Sequence, residues 1–211
     1  MTNRFPSKIP YASLLVYSPR GVGEVAALSR RVVRDELKRG VPRIVALVAT
    51  RTRELFEAGH FQDQLGPERV LVPVPRSSPR RQGHLWVPEL IADALVSEGL
   101  GARVVPALRR TRPIPKLATA TSDERLVSKH VESLEVNDGS KLRNVTIVDD
   151  VVTTGGTLFA AASLMLEASG ELPASFAVAR SMGDEKLSSL RQPTEGWVYF
   201  QASSGRTKRR P

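Results

Sequence analysis

The chain has 211 residues, 41% hydrophobic and 5% aromatic, enough for one α/β domain whose core is built from Leu, Val and Ala rather than a β-sandwich. Zero cysteines exclude disulfides and thiolate zinc sites and fit a reducing cytoplasm, and three histidines without close pairing make a dedicated transition-metal site unexpected. The net charge of +9 favours anionic partners, whether phosphates, nucleotides or nucleic acid. No apolar run is long enough to span a bilayer. The opening MTNRFPSKIPYASLLVY has too short and interrupted an apolar stretch for a signal peptide, so a cytoplasmic location is expected.

In chain order, residues 22–39 are expected to form a helix with Val25, Leu28, Val32 and Leu37 as its apolar stripe and Gly40 as its stop. Arg30, Arg31, Arg34 and Lys38 fill its other faces; a solvated face is the default, a ligand-facing one the alternative. A second helix is expected over 43–58, with Ile44, Leu47, Val48, Leu55 and Phe56 inward and Gly59 at its end. Residues 69–75, RVLVPVP, read as a strand ending in a proline turn. A helix over 86–98 follows, burying Leu90, Ile91, Ala94 and Leu95, and then a strand over 102–108. The 22 residues from Arg109 to His130 are too long for a routine connection. Their polarity and charge suggest a flexible lid over an anionic ligand, part of it paired as a hairpin. A strand from Val145, a helix over 157–168 and a strand over 175–180 complete the pattern. Strands alternating with helices point to a parallel sheet built by βαβ crossovers.

One domain over 1–211 is expected, with its core at about 69–182, a helical N-terminal part at about 1–66 and an irregular tail over 183–211 holding one short strand, Trp197–Gln201. Trp197, Tyr199 and Phe200 are expected to pack that strand, a base-stacking hood being the alternative. The basic run Arg206, Lys208, Arg209 and Arg210 is expected to be solvated and disordered, a binding arm being the alternative.

The most telling segment is Val145 to Leu158, VTIVDDVVTTGGTL. Val145, Ile147 and Val148 suit a strand covered on both faces. Asp149 and Asp150 then fall at its carboxyl end, where open α/β sheets bind ligands. Thr153, Thr154, Gly155, Gly156 and Thr157 offer hydroxyls and backbone N–H groups at a helix N-terminus, a ready phosphate site. Carboxylates beside a phosphate cradle suggest a sugar phosphate: acids for ribose hydroxyls or a metal, amides for the phosphate.

Through Asp149, Asp150, Thr154, Gly155 and Thr157, this segment resembles the phosphoribosyl-diphosphate (PRPP) motif of type I phosphoribosyltransferases. A second stretch, VLVPVPRSSPRRQGHLWVPELIADAL, resembles the ComF-type branch of that family, which has a Val-Pro-Val-Pro strand end, a basic loop and a turn into a helix. A weaker match runs through LRRTRPIPKL from Leu108 and DERL from Asp123. The chain departs from the ComF-type pattern in lacking its cysteine-rich zinc ribbon, in reading Gly83-His84-Leu85-Trp86 at the turn, and in placing Lys116 where the lid has Gln.

The resemblance implies a Rossmann-like parallel sheet flanked by helices, with a lid and a small hood from the termini. It implies a glycosyltransferase of nucleotide metabolism that binds PRPP and Mg²⁺. An unidentified base or amine would attack C1 of PRPP and release pyrophosphate. Asp149, Asp150 and Arg76 would carry the transfer, the acids also orienting Mg²⁺ through water. Thr153 to Thr157 would hold the 5-phosphate. Arg76, Ser77 and Ser78 would grip pyrophosphate, with Arg80 and Arg81 close behind, and Arg112 or Lys116 would close from the lid. Thr153 stands where 6-oxopurine enzymes carry an Asp, and a threonine cannot replace that base near neutral pH, so hypoxanthine or guanine salvage is not expected. Two alternatives stay open: a non-catalytic PRPP or nucleotide sensor, and a nucleic-acid accessory protein of competence type. A homodimer is a further open partner.

Overall fold

The computed structural model describes residues 5–79, 83–114, 126–137, 142–183 and 187–210. They form a mixed α/β fold around a seven-stranded sheet in the order β3-β2-β6-β7-β1-β8-β9. The five strands β3 (Arg103–Val104), β2 (Val70–Pro73), β6 (Val145–Val152), β7 (Ala174–Ser181) and β1 (Lys8–Tyr17) run parallel. On the β1 edge, β8 (Arg191–Gln201) and β9 (Arg206–Arg210) continue the sheet antiparallel. This architecture is compatible with a Rossmann-like fold. A separate two-stranded ribbon pairs β4 (Leu108–Arg110) with β5 (Leu134–Val136).

Alternation along the central strands divides the core in two. One face collects Val70, Val72, Val145 and Ile147 under α5 (Gly156–Ser169), α4 (Val127–Glu132) and the β4–β5 ribbon. The other collects Leu71, Val148, Phe176 and Val178 under α2 (Pro42–Glu57), α3 (Val87–Ser97) and the N-terminal helix. β6 is therefore apolar on both sides, as a strand central to a parallel sheet must be. Among the described residues, no helix is long and apolar enough to cross a membrane.

Several sequence expectations need correction. The sheet is not confined to 69–182, because β1 lies near its middle, between β7 and β8. Ile9 and Tyr11 to Val16 are all buried, a strand covered on both faces inside a part read as helical. Pro10 and Ser13 break its apolar run, and Pro is tolerated close to a strand start. The tail is not irregular: residues 191–210 form the β8–β9 hairpin. The basic run is β9, with Thr207 buried and Lys208 and Arg210 exposed, a two-residue period hidden by uniform charge. The strand expected over 102–108 splits at Pro106, which lacks a ladder N–H; Arg103–Val104 joins the main sheet and Leu108–Arg110 the ribbon.

The first helix runs as α1 (Glu24–Ser29), a π-helical stretch (Arg30–Glu36) and a 3₁₀ turn (Leu37–Arg39). Its buried stripe is Ala26, Ser29, Val33 and Leu37, and the four-residue steps from Ser29 onward follow the wider π turn. Gly40 ends it in the left-handed region at φ 65°. In α2 the inward face is Ile44, Val45, Val48, Ala49 and Thr52, which leaves Leu47 exposed; in α3 Leu90 is likewise exposed.

Phe176 is fully buried and meets Phe61 edge-on with ring centroids 5.6 Å apart. Phe176→Ala is expected to cost about 3–5 kcal/mol and to lower Tm by roughly 6–20 °C. A loss under 2 °C in a thermal melt, by the same scale of about 2–4 °C per kcal/mol, would show that the second core does not depend on this ring.

Candidate functional site at the switch in the sheet

The site follows from how the chain winds. From β2 it passes through α3 to β3 on one side, and from β6 through α5 to β7 on the other. α3 packs on one face of the sheet and α5 on the opposite face. Strand order therefore reverses between the adjacent strands β2 and β6. The loops leaving their carboxyl ends diverge there and open a crevice, the position where such sheets bind ligands. The loop after β2 carries Arg76, Ser77 and Ser78, and the loop after β6 carries Thr153 to Thr157; the acids lie within β6, which runs on past them to Val152.

Asp149 and Asp150 are neighbours near the end of β6, and their carboxyls interact directly. Two cations act on the pair, Lys38 and Arg110. Asp150 Oδ2 lies 3.8 Å from Lys38 Nζ, which comes from the 3₁₀ turn, with side chains 23% and 42% exposed. Asp149 feels the charge of Arg110 on β4. Burial, then the neighbouring Asp150 carboxylate, pushes the Asp149 carboxyl well above the usual range, while Lys38 draws it back weakly. The strand backbone adds local bonds: Asp150 N–H donates to Asp149 Oδ1 at 2.8 Å, and Val151 N–H to Asp150 Oδ1 at 2.7 Å.

The phosphate-loop residues lie where the helix begins. Gly155 takes φ +90° just before α5, and a Cβ there would sit 2.6 Å from Val198 Cγ1 on β8. Both facts require glycine. The intrahelical ladder begins with Phe159 N–H donating to the Gly155 carbonyl at 2.8 Å, so the amides before it have no partner within the helix. Thr154 is exposed, Thr153 and Thr157 are half-buried, and Gly155 and Gly156 are buried. Arg209 on β9 holds the turn from below: its Nη1 donates to the Val152 carbonyl at 3.0 Å and its Nη2 to the Ser181 carbonyl.

After β2, Arg76 and Ser78 are exposed and Ser77 half-buried. The Arg76 guanidinium donates to the Leu85 carbonyl at 2.7 Å, closing its own loop. Trp86 Nε1–H donates to the Val74 carbonyl at 2.7 Å, and Ile114 N–H donates to the Ser77 carbonyl at 2.8 Å. These bonds fix the loop against the chain beyond β4. A mainly apolar cavity of about 250 Å³ lies beside it, bordered by Arg76, Ser78, Trp86, Leu108 and Arg110.

Sequence reasoning missed two buried groups here. Arg110 is 3% exposed; its Nε donates to the Arg76 carbonyl at 3.0 Å and its Nη1 to Ser133 Oγ. Burial lowers its pKa to about 10 despite the attraction of Asp149, so it stays charged at neutral pH and ties the β2 loop to the acids. His130, 8% exposed, lies under the helix start, with Nδ1 3.4 Å from Thr157 Oγ1. Burial, then Arg110, lowers its pKa to about 4, so the ring is neutral and can position the Thr157 hydroxyl. No sequence signal marked either residue: Arg110 sits in a basic run and His130 at the end of a polar stretch. Lys38 was legible only as one basic residue among several on its helix.

The remaining expectations divide. Arg112 is exposed and donates from Nη2 to the Glu132 carbonyl at 2.9 Å, so its contact is with α4 rather than the acids. Lys116, Arg80 and Arg81 lie outside the described residues, as does the middle of the expected lid, 115–125. Phe200 packs on Phe159 and Phe5, at 5.6 and 5.1 Å between centroids. Lys8 and Arg210 lie over the Trp197 and Tyr199 rings at 3.7 and 5.5 Å. Phe200 is thus packed as expected, Tyr199 is half-buried, and Trp197 stays 36% exposed rather than joining the core. Among the described residues no cluster of three or more His, Asp or Glu forms a metal cage.

The two perturbed groups respond oppositely to pH. His130 stays neutral when folded down to about 4, whereas the unfolded ring takes a proton near 6.5. Its contribution is therefore lost as pH falls from 6.5 to 4, by on the order of 3 kcal/mol. His130→Gln should remove that component, so the wild-type advantage over the variant should shrink across this window in urea melts; a constant difference would place the ring in water. Asp149 is raised when folded, so its charge costs stability once pH exceeds the unfolded value of 3.8. Asp149→Asn should raise Tm by a few degrees at pH 7, with the gain fading as pH falls toward 4; no gain at pH 7 would mean the carboxylate is compensated. No protein-family model and no curated protein matches the chain.

Proposed function

We propose that this chain is a phosphoribosyltransferase-like enzyme of the type I kind, related to the ComF-type branch. It binds PRPP with Mg²⁺ in a cytoplasmic setting and transfers the phosphoribosyl group to a base or amine. One observation carries this: two acids lie near the carboxyl end of the central parallel strand at the switch in winding, and the strand leads into a glycine turn and a helix N-terminus. That order suits a ribose 5-phosphate, whose phosphate meets the Thr153–Thr157 amides and hydroxyls while its hydroxyls meet Asp149 and Asp150.

In the transfer, the acceptor nitrogen forms a bond to C1 of the ribose as the C1–O bond to pyrophosphate breaks. The leaving group takes the bonding electrons, and the acceptor sheds its proton to water or to pyrophosphate. Asp149 and Asp150 face the positive charge that grows on the ribose ring. The fixed cations Arg110 and Lys38 adjust the charge of that pair from either side. Arg76 must release the Leu85 carbonyl to reach pyrophosphate, with Ser77 and Ser78 beside it. Two adjacent carboxylates suit Mg²⁺, which keeps waters and leans on substrate phosphates; when bound it would neutralise pyrophosphate oxygens, held by Asp149 and Asp150 through water.

A PRPP sensor without turnover is the second reading, favoured by Arg76 spending its guanidinium on Leu85, since a sensor needs no stabilised leaving group. The basic run offers no loose arm for nucleic acid, because Arg206–Arg210 is a sheet strand.

PRPP should raise Tm, more so with Mg²⁺, because it binds the folded state alone. Asp149→Asn with Asp150→Asn should abolish that shift while the protein stays folded. No shift with the wild type at millimolar PRPP would sink the proposal. Pyrophosphate release with a panel of bases and amines separates enzyme from sensor. Hypoxanthine and guanine should be poor acceptors given Thr153, and efficient turnover of either would show that another group moves the purine proton.

A further inference from the structure

A second cavity, of about 320 Å³, lies beyond the crevice, where β1, β7, β8 and β9 meet. Each of these strands gives it a polar side chain: Tyr11 from β1, Arg180 and Ser181 from β7, Thr194 from β8 and Arg209 from β9. The sequence reading assigned no role to any of them beyond a solvated tail for Arg209.

Both guanidiniums are fixed before any ligand arrives. Arg180 donates to the Gln192 carbonyl at 3.2 Å and to Gln192 Oε1 at 3.1 Å. Arg209 donates to the Val152 and Ser181 carbonyls. Arg180 lies close enough to disfavour the charge of Arg209: burial, with Arg180 adding to it, lowers the Arg209 pKa, though Tyr11 opposes this. Burial likewise raises the Tyr11 phenol, so at neutral pH it is an O–H donor rather than a phenolate. The described lining contains no carboxylate.

Two guanidiniums and the Tyr11 phenol border one space and suit the planar or tetrahedral oxygens of an anion; the Thr194 hydroxyl, which donates to the Gln192 carbonyl at 3.1 Å, joins them by turning. The volume exceeds that of a lone ion and falls within the range of small-molecule pockets, about 300–1,000 Å³. Among the described lining residues Gly183 is exposed and Met182 and Thr194 are half-buried. Arg209 also links the cavity to the phosphate loop, because the carbonyl it holds belongs to Val152, the residue before Thr153.

We propose that this cavity is a second binding site, for a small organic anion bearing a carboxylate or a phosphate, held by Arg180, Arg209, Tyr11 and Thr194. It does not rest on the transferase proposal: Tyr11, Arg180 and Thr194 take no part in the PRPP crevice, and Arg209 touches it only through the Val152 carbonyl.

The test uses the full chain with two probes, benzoate for the carboxylate source and inorganic phosphate for the other, read by thermal shift and calorimetry. At least one probe should bind the wild type, and Arg180→Gln should weaken it about tenfold or more, the cost of losing a charge-assisted bond. Thr194→Val, which leaves both guanidiniums in place, should weaken it less and guards against a folding defect in the arginine variant. Loss of the benzoate response alone assigns a carboxylate ligand, and loss of the phosphate response alone assigns a phosphorylated one. Asp149→Asn with Asp150→Asn should leave the response intact, which keeps a failed PRPP assay separate from a failed second site. If neither probe binds at tens of millimolar, or if both variants bind like the wild type, the proposal is wrong.

Discussion

The opposite winding of the two crossovers beside β6 is the constraint on which the site depends. α3 and α5 cover different faces of the sheet, so the loops after β2 and β6 cannot lie over each other. They part and leave the strand ends open. Had both crossovers packed on one face, the acid pair would lie beneath a connection and the glycine turn would have no space before it. Packing sets this geometry, because each crossover helix has one apolar face to bury and each strand offers it alternate residues.

The crevice places charge under tension. Asp149 is driven toward its neutral form by burial and by Asp150. Arg110 and Lys38 approach the pair from the two layers, one buried and one half-exposed. The half-exposed pair contributes little stability in water, whereas Arg110, shielded from solvent, acts at greater effective strength. Stability is therefore spent at the strand end, a cost that active sites commonly carry and that a cationic ligand environment would offset.

The C-terminal hairpin supports this arrangement from the far edge. Val198 fills the space that Gly155 leaves, Arg209 holds the carbonyl before Thr153, and Phe200 packs under α5 through Phe159. A segment that looks like a polar tail thus sets the position of the phosphate loop. Its basic residues alternate between water and the protein interior, and charge alone does not reveal which side chain faces which way.

By itself the sequence determined the local elements: the apolar strand before Asp149 and Asp150, the glycine turn after them, the helices near 42–57, 87–97 and 156–169, and the parallel α/β class. Each rests on residues close together in the chain, through hydrophobic period, turn chemistry and helix stops. Only the tertiary structure decided that β1 enters the middle of the sheet, that the basic end becomes β9, and that Lys38, Arg110 and His130 gather around the acid pair and the helix start. Those positions depend on pairings between residues far apart in the chain. A strand's partner and a buried cation's neighbour are set by the packing of the whole sheet, which no local pattern encodes.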